Sequence, residues 1–214
     1  MNLSKGVKSF FEIEREQLGN EIAFDRQQLK ILRKPKEYTI EQRQAAARDW
    51  LEKYSVFRGA TAKHKKPIAE SLVLFFDGQE GRLKNPKAIK EKFELLKLAL
   101  RADAKILTKT GNIQSIDSLT SKALWLCYPH DAPIMDEYAE RSLMVIARMM
   151  NFKIPEKETR YAHYVSLWFQ AYKVVEPEIE RLDLKAFHYK GRVFDKYLWW
   201  LGQSNYNDLI AKDE

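Results

Sequence analysis

Glycine and proline are scarce in this chain: 8 Gly and 7 Pro make 15 of 214 residues, or about 7%, against a usual ~12%. A β-sandwich or barrel built from short strands needs a turn signal roughly every 8–12 residues. With so few turn formers, the distance between turns has to be covered by long elements, and helices are the economical choice. The composition also supports a core, because 45% of the residues are hydrophobic and 12% aromatic, well above what a disordered chain carries.

Apolar spacing near 3.6 and residues suited to helix caps divide the chain into about nine helices. The first runs over Ser4–Leu18, with Val7, Phe10, Phe11 and Leu18 on one side, and Ala23–Leu32 follows, stopped by Pro35. Thr39 is placed to cap Ile40–Tyr54, with Trp50, Leu51 and Tyr54 inward. Pro67 opens Ile68–Phe76, and Asn85-Pro86 starts a helix to about Ala102 whose face is Ile89, Phe93, Leu96 and Leu100. Leu119–Cys127 is short, and Asp136 is placed to cap Glu137–Met150. Glu156–Val175 and Arg192–Gly202 complete the set; on the last, Trp199 and Trp200 point about 100° apart, so one should be less buried. No repeat, low-complexity tract or long alternating strand interrupts this pattern. The expected product is one composite all-α unit, 1–214.

One cysteine, Cys127, leaves no internal disulfide and excludes a zinc ribbon or a Cys-ligated iron–sulfur cluster, a usage that suits the cytoplasm. Met1–Gly19 is broken by charges and does not read as a signal peptide. Apolar runs such as Leu72–Phe76 and Tyr197–Leu201 are five residues long, against the ~20 of a bilayer span. No Walker loop or G-x-G-x-x-G occurs, so nucleotide hydrolysis is not expected. The four histidines, His64, His130, His163 and His188, are scattered without the spacing of a helical zinc site, and neither a metal nor another cofactor is called for.

The formal charge of +7 is unevenly spread: residues 1–110 hold 24 Lys+Arg against 15 Asp+Glu (+9), and residues 111–214 hold 13 against 15 (−2). The basic half includes Arg33-Lys34-Pro35-Lys36 and the cluster Lys63, Lys65, Lys66 around His64. Phosphates attract such groups without any sequence motif, so a polyanion such as a nucleic acid is the expected partner. The charge therefore divides the chain into a basic half, 1–110, and a nearly neutral half, 111–214, that carries the chemistry.

That chemistry centres on Ser115–Asp136, where Lys122 falls in the first turn of a helix and Asp136 at the start of the next, across a Pro-bounded connector. A helix N-terminus disfavours the ammonium form of a lysine, burial disfavours it further, and the neutral amine is a nucleophile. A carboxylate aimed at the same cavity stabilises positive charge developing on a sugar.

This arrangement resembles the helix-hairpin-helix DNA glycosylase superfamily, most closely its small bacterial oxoguanine-glycosylase-like members. There a hairpin ends in Gly-x-Lys-x-Ala with the catalytic Lys, and the catalytic Asp follows in a Pro-Val-Asp-like context. Ser121-Lys122-Ala123 and Pro133-Ile134-Met135-Asp136 fall on these two motifs, and Arg192–Gly202 is similar to the closing helix of the group. The hairpin glycines are replaced by Ser118 and Thr120, and the Lys122-to-Asp136 spacing of 14 is shorter than usual for the superfamily.

The resemblance implies a two-lobed helical fold and excision of an oxidised or modified purine by base flipping. Lys122 would attack the sugar C1′ and form a Schiff base able to proceed to strand cleavage, Asp136 would stabilise the sugar cation, and Ser118, Thr120 and Ser121 would meet the DNA backbone. It also implies two alternatives within the group, a non-catalytic helical accessory that binds nucleic acid or protein, and a place beside bacterial anti-phage systems. A third reading comes from the Arg-x(4–6)-His pattern of HEPN-type ribonucleases, matched by Arg58–His64 and Arg181–His188.

Overall fold

A computed structural model describes residues 2–54, 62–77, 81–83, 85–104, 116–154, 158–182 and 189–204, without the side chains of 62–64, 102–104 and 204. Among these residues the chain is all-helical, with eight helices and no strands: α1 (Leu3–Leu32), α2 (Ile40–Lys53), α3 (Ala62–Asp77), α4 (Pro86–Ala104), α5 (Asp117–Cys127), α6 (Glu137–Met149), α7 (Arg160–Arg181) and α8 (Lys190–Ser204).

Two expected helices are one. α1 continues without a break through Gly19, because a lone glycine costs a helix only ~1 kcal/mol and burial of Leu18, Ile22, Leu29 and Leu32 on either side outweighs it. α2 starts as its sequence indicates. The Thr39 hydroxyl accepts from Gln42 N–H and the Gln42 side chain accepts from Thr39 N–H, a reciprocal capping box. α3 begins upstream of Pro67, near whose position the missing N–H costs one intrahelical hydrogen bond. α7 likewise runs on past Val175 and carries Pro177 close to its end.

The helices interlock across the middle of the chain. α1 packs on α2, α7 and α8; α4 joins α3 to α5 and α7; α6 lies against α7 and α8. One cluster of buried apolar side chains runs from Leu3 and Val7 through Trp50, Phe93 and Trp125 to Phe194 and Leu198. The expected boundary near residue 110 falls outside the described residues.

Two contacts set the position of α8, which the site depends on. At Gly202 a Cβ would stand 2.3 Å from the Tyr138 carbonyl oxygen, so only glycine lets α8 approach α6 this closely. Beside it the Ser142 hydroxyl donates to the carbonyls of Tyr138 and Leu198, tying the two helices. Arg43, itself buried, donates to the Leu32 carbonyl at the end of α1 and forks onto Asp77 at the end of α3.

A lysine and an aspartate on one cavity

Lys122 stands in the second turn of α5. Its helix is entered through Ile116, whose carbonyl accepts from both the Thr120 N–H and the Thr120 hydroxyl. From the C-terminus of α5 the chain turns at Tyr128–Ala132, where Ala132 N–H bonds the Tyr128 carbonyl, and then runs without regular secondary structure through Pro133–Met135.

This connector is buried and has no strand partner, so side chains satisfy its backbone. Tyr161 donates to the Pro133 carbonyl at 2.9 Å and Tyr164 to the Ile134 carbonyl at 2.8 Å, both from α7. Burial pushes both phenols well above their ordinary pKa, so both hold their protons to donate. Asp195 of α8 accepts from Ile134 N–H at 3.2 Å. The Ser121 hydroxyl accepts from Met135 N–H and reaches its carbonyl at 3.0 Å. A buried backbone with every polar group engaged is a fixed backbone.

What it fixes is Asp136. One carboxylate oxygen, Oδ1, accepts from Ala139 N–H and caps α6. The other, Oδ2, stands 3.9 Å from Lys122 Nζ, which itself lies 3.3 Å from the Ser118 hydroxyl. Both charged side chains are largely sheltered, at 13% and 18% exposure.

The two face a common cavity of about 410 Å³, also walled by Tyr54 at the C-cap of α2, Tyr138 from α6 and Trp199 from α8. That volume is within the range of small-molecule sites. Its α8 wall carries Arg192, Asp195, Lys196 and Trp199, one face of a helix at i, i+3, i+4 and i+7. Arg192 is fully buried, its guanidinium over the rings of Tyr54 and Trp125, with Nε 3.5 Å from Asp25 Oδ2. Asp25 also accepts from the Trp50 indole and the Tyr54 hydroxyl, each at 2.7 Å. Lys196 lies over Tyr54 and Trp199 and pairs with Glu21. Burial, and then the neighbouring Arg192, hold its amine below the ordinary lysine range against the pull of Glu21. Burial drives Asp195 the other way, up to about 7, against the pull of Arg192 and the hydrogen bonds from Ile134 and Trp168.

The structure therefore brings Lys122 and Asp136 together, and it places the expected backbone-binding residues differently from a DNA-facing hairpin. Ser118, Thr120 and Ser121 lie inside α5, which starts two residues earlier than its apolar pattern indicates. Ser118 lines the cavity, whereas the Thr120 and Ser121 side chains are fully buried and hydrogen-bonded within the fold. Lys65 pairs with Glu52 and Lys66 with Glu70 on α3, away from the cavity lining, and the Lys63 side chain lies outside the described residues. Arg58, His188 and the His64 side chain also lie outside them; Arg181 is exposed and pairs with Glu178.

Lys53, Tyr54, Arg192, Asp195 and Lys196 are cavity residues that their local sequence does not single out. The recoverable signal was on α8, where polar Arg192, Asp195, Lys196 and Gln203 recur at helical spacing along an otherwise apolar helix. Trp199 and Trp200 are both half-buried, the first on this cavity, the second against Phe10 and Tyr197. Among the described residues no group of three or more His, Cys, Asp or Glu side chains is placed to hold a metal ion. No described helix is long and apolar enough to cross a membrane.

No protein-family model, no curated protein and no solved structure matches this chain.

Proposed function

We propose that this protein is a DNA N-glycosylase that excises an oxidised or modified purine and carries a Schiff-base lyase step. The observation that carries the reading is the shared cavity of Lys122 and Asp136, with the amine and the carboxylate 3.9 Å apart. A flipped nucleotide would enter this cavity with its sugar toward that pair. The Lys122 amine, having released a proton to solvent, donates its lone pair to the sugar C1′, the C1′–N bond breaks with its electrons leaving on the base, and the departing base takes up the proton that the newly bonded amine sheds. Asp136 faces the positive charge that develops on the sugar. Ring opening of the C1′ adduct gives an imine on Lys122, and loss of a C2′ proton from that imine expels the 3′ phosphate.

The aromatic and cationic side chains of the cavity support the same reading. Tyr138 and Trp199, edge to face, give an apolar wall for a base, and Arg192 and Lys196 give donors to its acceptor-rich edge.

Borohydride trapping on duplexes bearing oxidised guanine, hypoxanthine or an abasic site tests the proposal. A covalent adduct formed by the wild type and lost in Lys122→Ala is the expected result. A second reading, a non-catalytic accessory that binds nucleic acid or protein, draws on the buried, internally bonded hydroxyls of Thr120 and Ser121, which leave Ser118 alone of the three expected hydroxyls on the cavity. No adduct on any of these substrates, with DNA affinity unchanged in Lys122→Ala, favours that second reading.

A further inference from the structure

Asp195 is a carboxylate with a place in the geometry and no part in the chemistry above. It is buried on α8, and its two oxygens have different partners: Oδ1 accepts from the Trp168 indole of α7 at 2.8 Å, and Oδ2 accepts from the Ile134 N–H at 3.2 Å. Ile134 is two residues before Asp136. We propose that Asp195 is a positioning residue of the site, holding the Pro133–Met135 connector from α8 so that the Asp136 carboxylate faces the Lys122 amine. The functional consequence rests on the glycosylase reading; the grip on the connector does not.

The grip depends on both oxygens being acceptors. A protonated carboxyl keeps one good acceptor and turns the other oxygen into an O–H donor. The oxygen that carries the proton keeps only a reduced acceptor capacity, so protonation weakens the bond to either Trp168 or Ile134. Asp195 is poised for this near neutrality, since burial raises it to about 7. The groups around it are Arg192 on its own helix, Tyr161, Tyr164 and Tyr172 on α7, and Asp136 itself. The three phenols stay neutral in this range because burial raises each of them. Arg192 stays charged, braced by Asp25 of α1 and Tyr54 of α2. Asp195 thus changes its own charge near pH 7 while Arg192 and the three phenols keep theirs.

The test follows the amide signals of Ile134 and Asp136 and the indole signal of Trp168 in the ¹⁵N-labelled full chain from pH 5.5 to 8.5. Ile134 and Trp168 should titrate together with a midpoint near 7, with Asp136 following, and Asp195→Asn should abolish the shared transition. Trp168→Phe, which removes one bond that favours the ionised form, should move the Ile134 midpoint upward, and it keeps the test open where the Asn variant does not fold. Ile134 signals that stay flat through this range, or titrate unchanged in Asp195→Asn, overturn the proposal. On a substrate that gives a borohydride adduct, Asp195→Asn should lower kcat by up to about 100-fold, leave KM in place and remove the acid limb near pH 7. A wild type that forms no adduct overturns the glycosylase reading alone, and the amide titration still decides whether Asp195 governs Asp136.

Discussion

The Ser121 hydroxyl is hydrogen-bonded to the backbone of Met135, accepting from its N–H at 3.1 Å and reaching its carbonyl at 3.0 Å. Ser121 precedes Lys122, and Met135 precedes Asp136. The bond therefore joins the two chain segments that present the amine and the carboxylate, fourteen residues apart, at the residues next to each. Ser121→Ala leaves the buried Met135 N–H without a partner, which costs about 1–3 kcal/mol. Urea denaturation should show a loss of that size, and borohydride trapping should weaken more than it does for a distant substitution of equal stability cost.

The pair Asp25 and Arg192 is buried on both sides, and Asp25 is also bound by Trp50 and Tyr54. Removing the guanidinium leaves a carboxylate without its countercharge in the interior. Arg192→Leu should destabilise the fold by about 3–5 kcal/mol. Adding Asp25→Asn should recover part of that loss, because the neutral amide no longer needs a cation. Chemical denaturation of the two variants checks both directions.

Asp195 makes a signed contribution to stability against pH. Its folded value of about 7 lies above the ~3.9 of an unfolded aspartate, so the folded state keeps a proton that the unfolded state releases. Stability from this group is complete below about pH 4 and is lost as pH rises to about 7. The wild-type unfolding free energy, less that of Asp195→Asn, should fall across that window by up to ~1.4 kcal/mol per pH unit and level off above it. The ionised form is thus the costly form, and it is also the one that holds both Ile134 and Trp168.

The thiol of Cys127 is buried, and burial pushes it up to about 12. A thiol with almost no thiolate at neutral pH is a poor nucleophile. It should be silent to a disulfide reagent in the native protein at pH 8 and react fully in denaturant. Native reactivity at the rate of a free cysteine would mean that α5 opens.

Local chemistry determined much of this protein. The shortage of Gly and Pro and the 3.6-residue apolar period were enough for an all-helical chain, and the caps at Thr39 and Asp136 are visible because a cap is a contact between residues three apart. Asp136 at the start of α6 was legible for the same reason, whereas Lys122, expected in a first turn, stands in the second turn of α5 because that helix begins at Asp117. The continuous α1 was not, because nothing local tells a tolerated Gly19 from a break; burial of the flanking residues decides it.

Tertiary structure alone decided the rest of the cavity. Glu21 of α1, Tyr54 at the end of α2 and Arg192 of α8 meet only because α1 packs on both α2 and α8. The grip of Asp195 on Ile134 spans sixty-one residues. Such contacts leave no periodic trace in either segment, since each depends on the angle and distance between helices, and at Gly202 that distance is set by the absence of a single side chain.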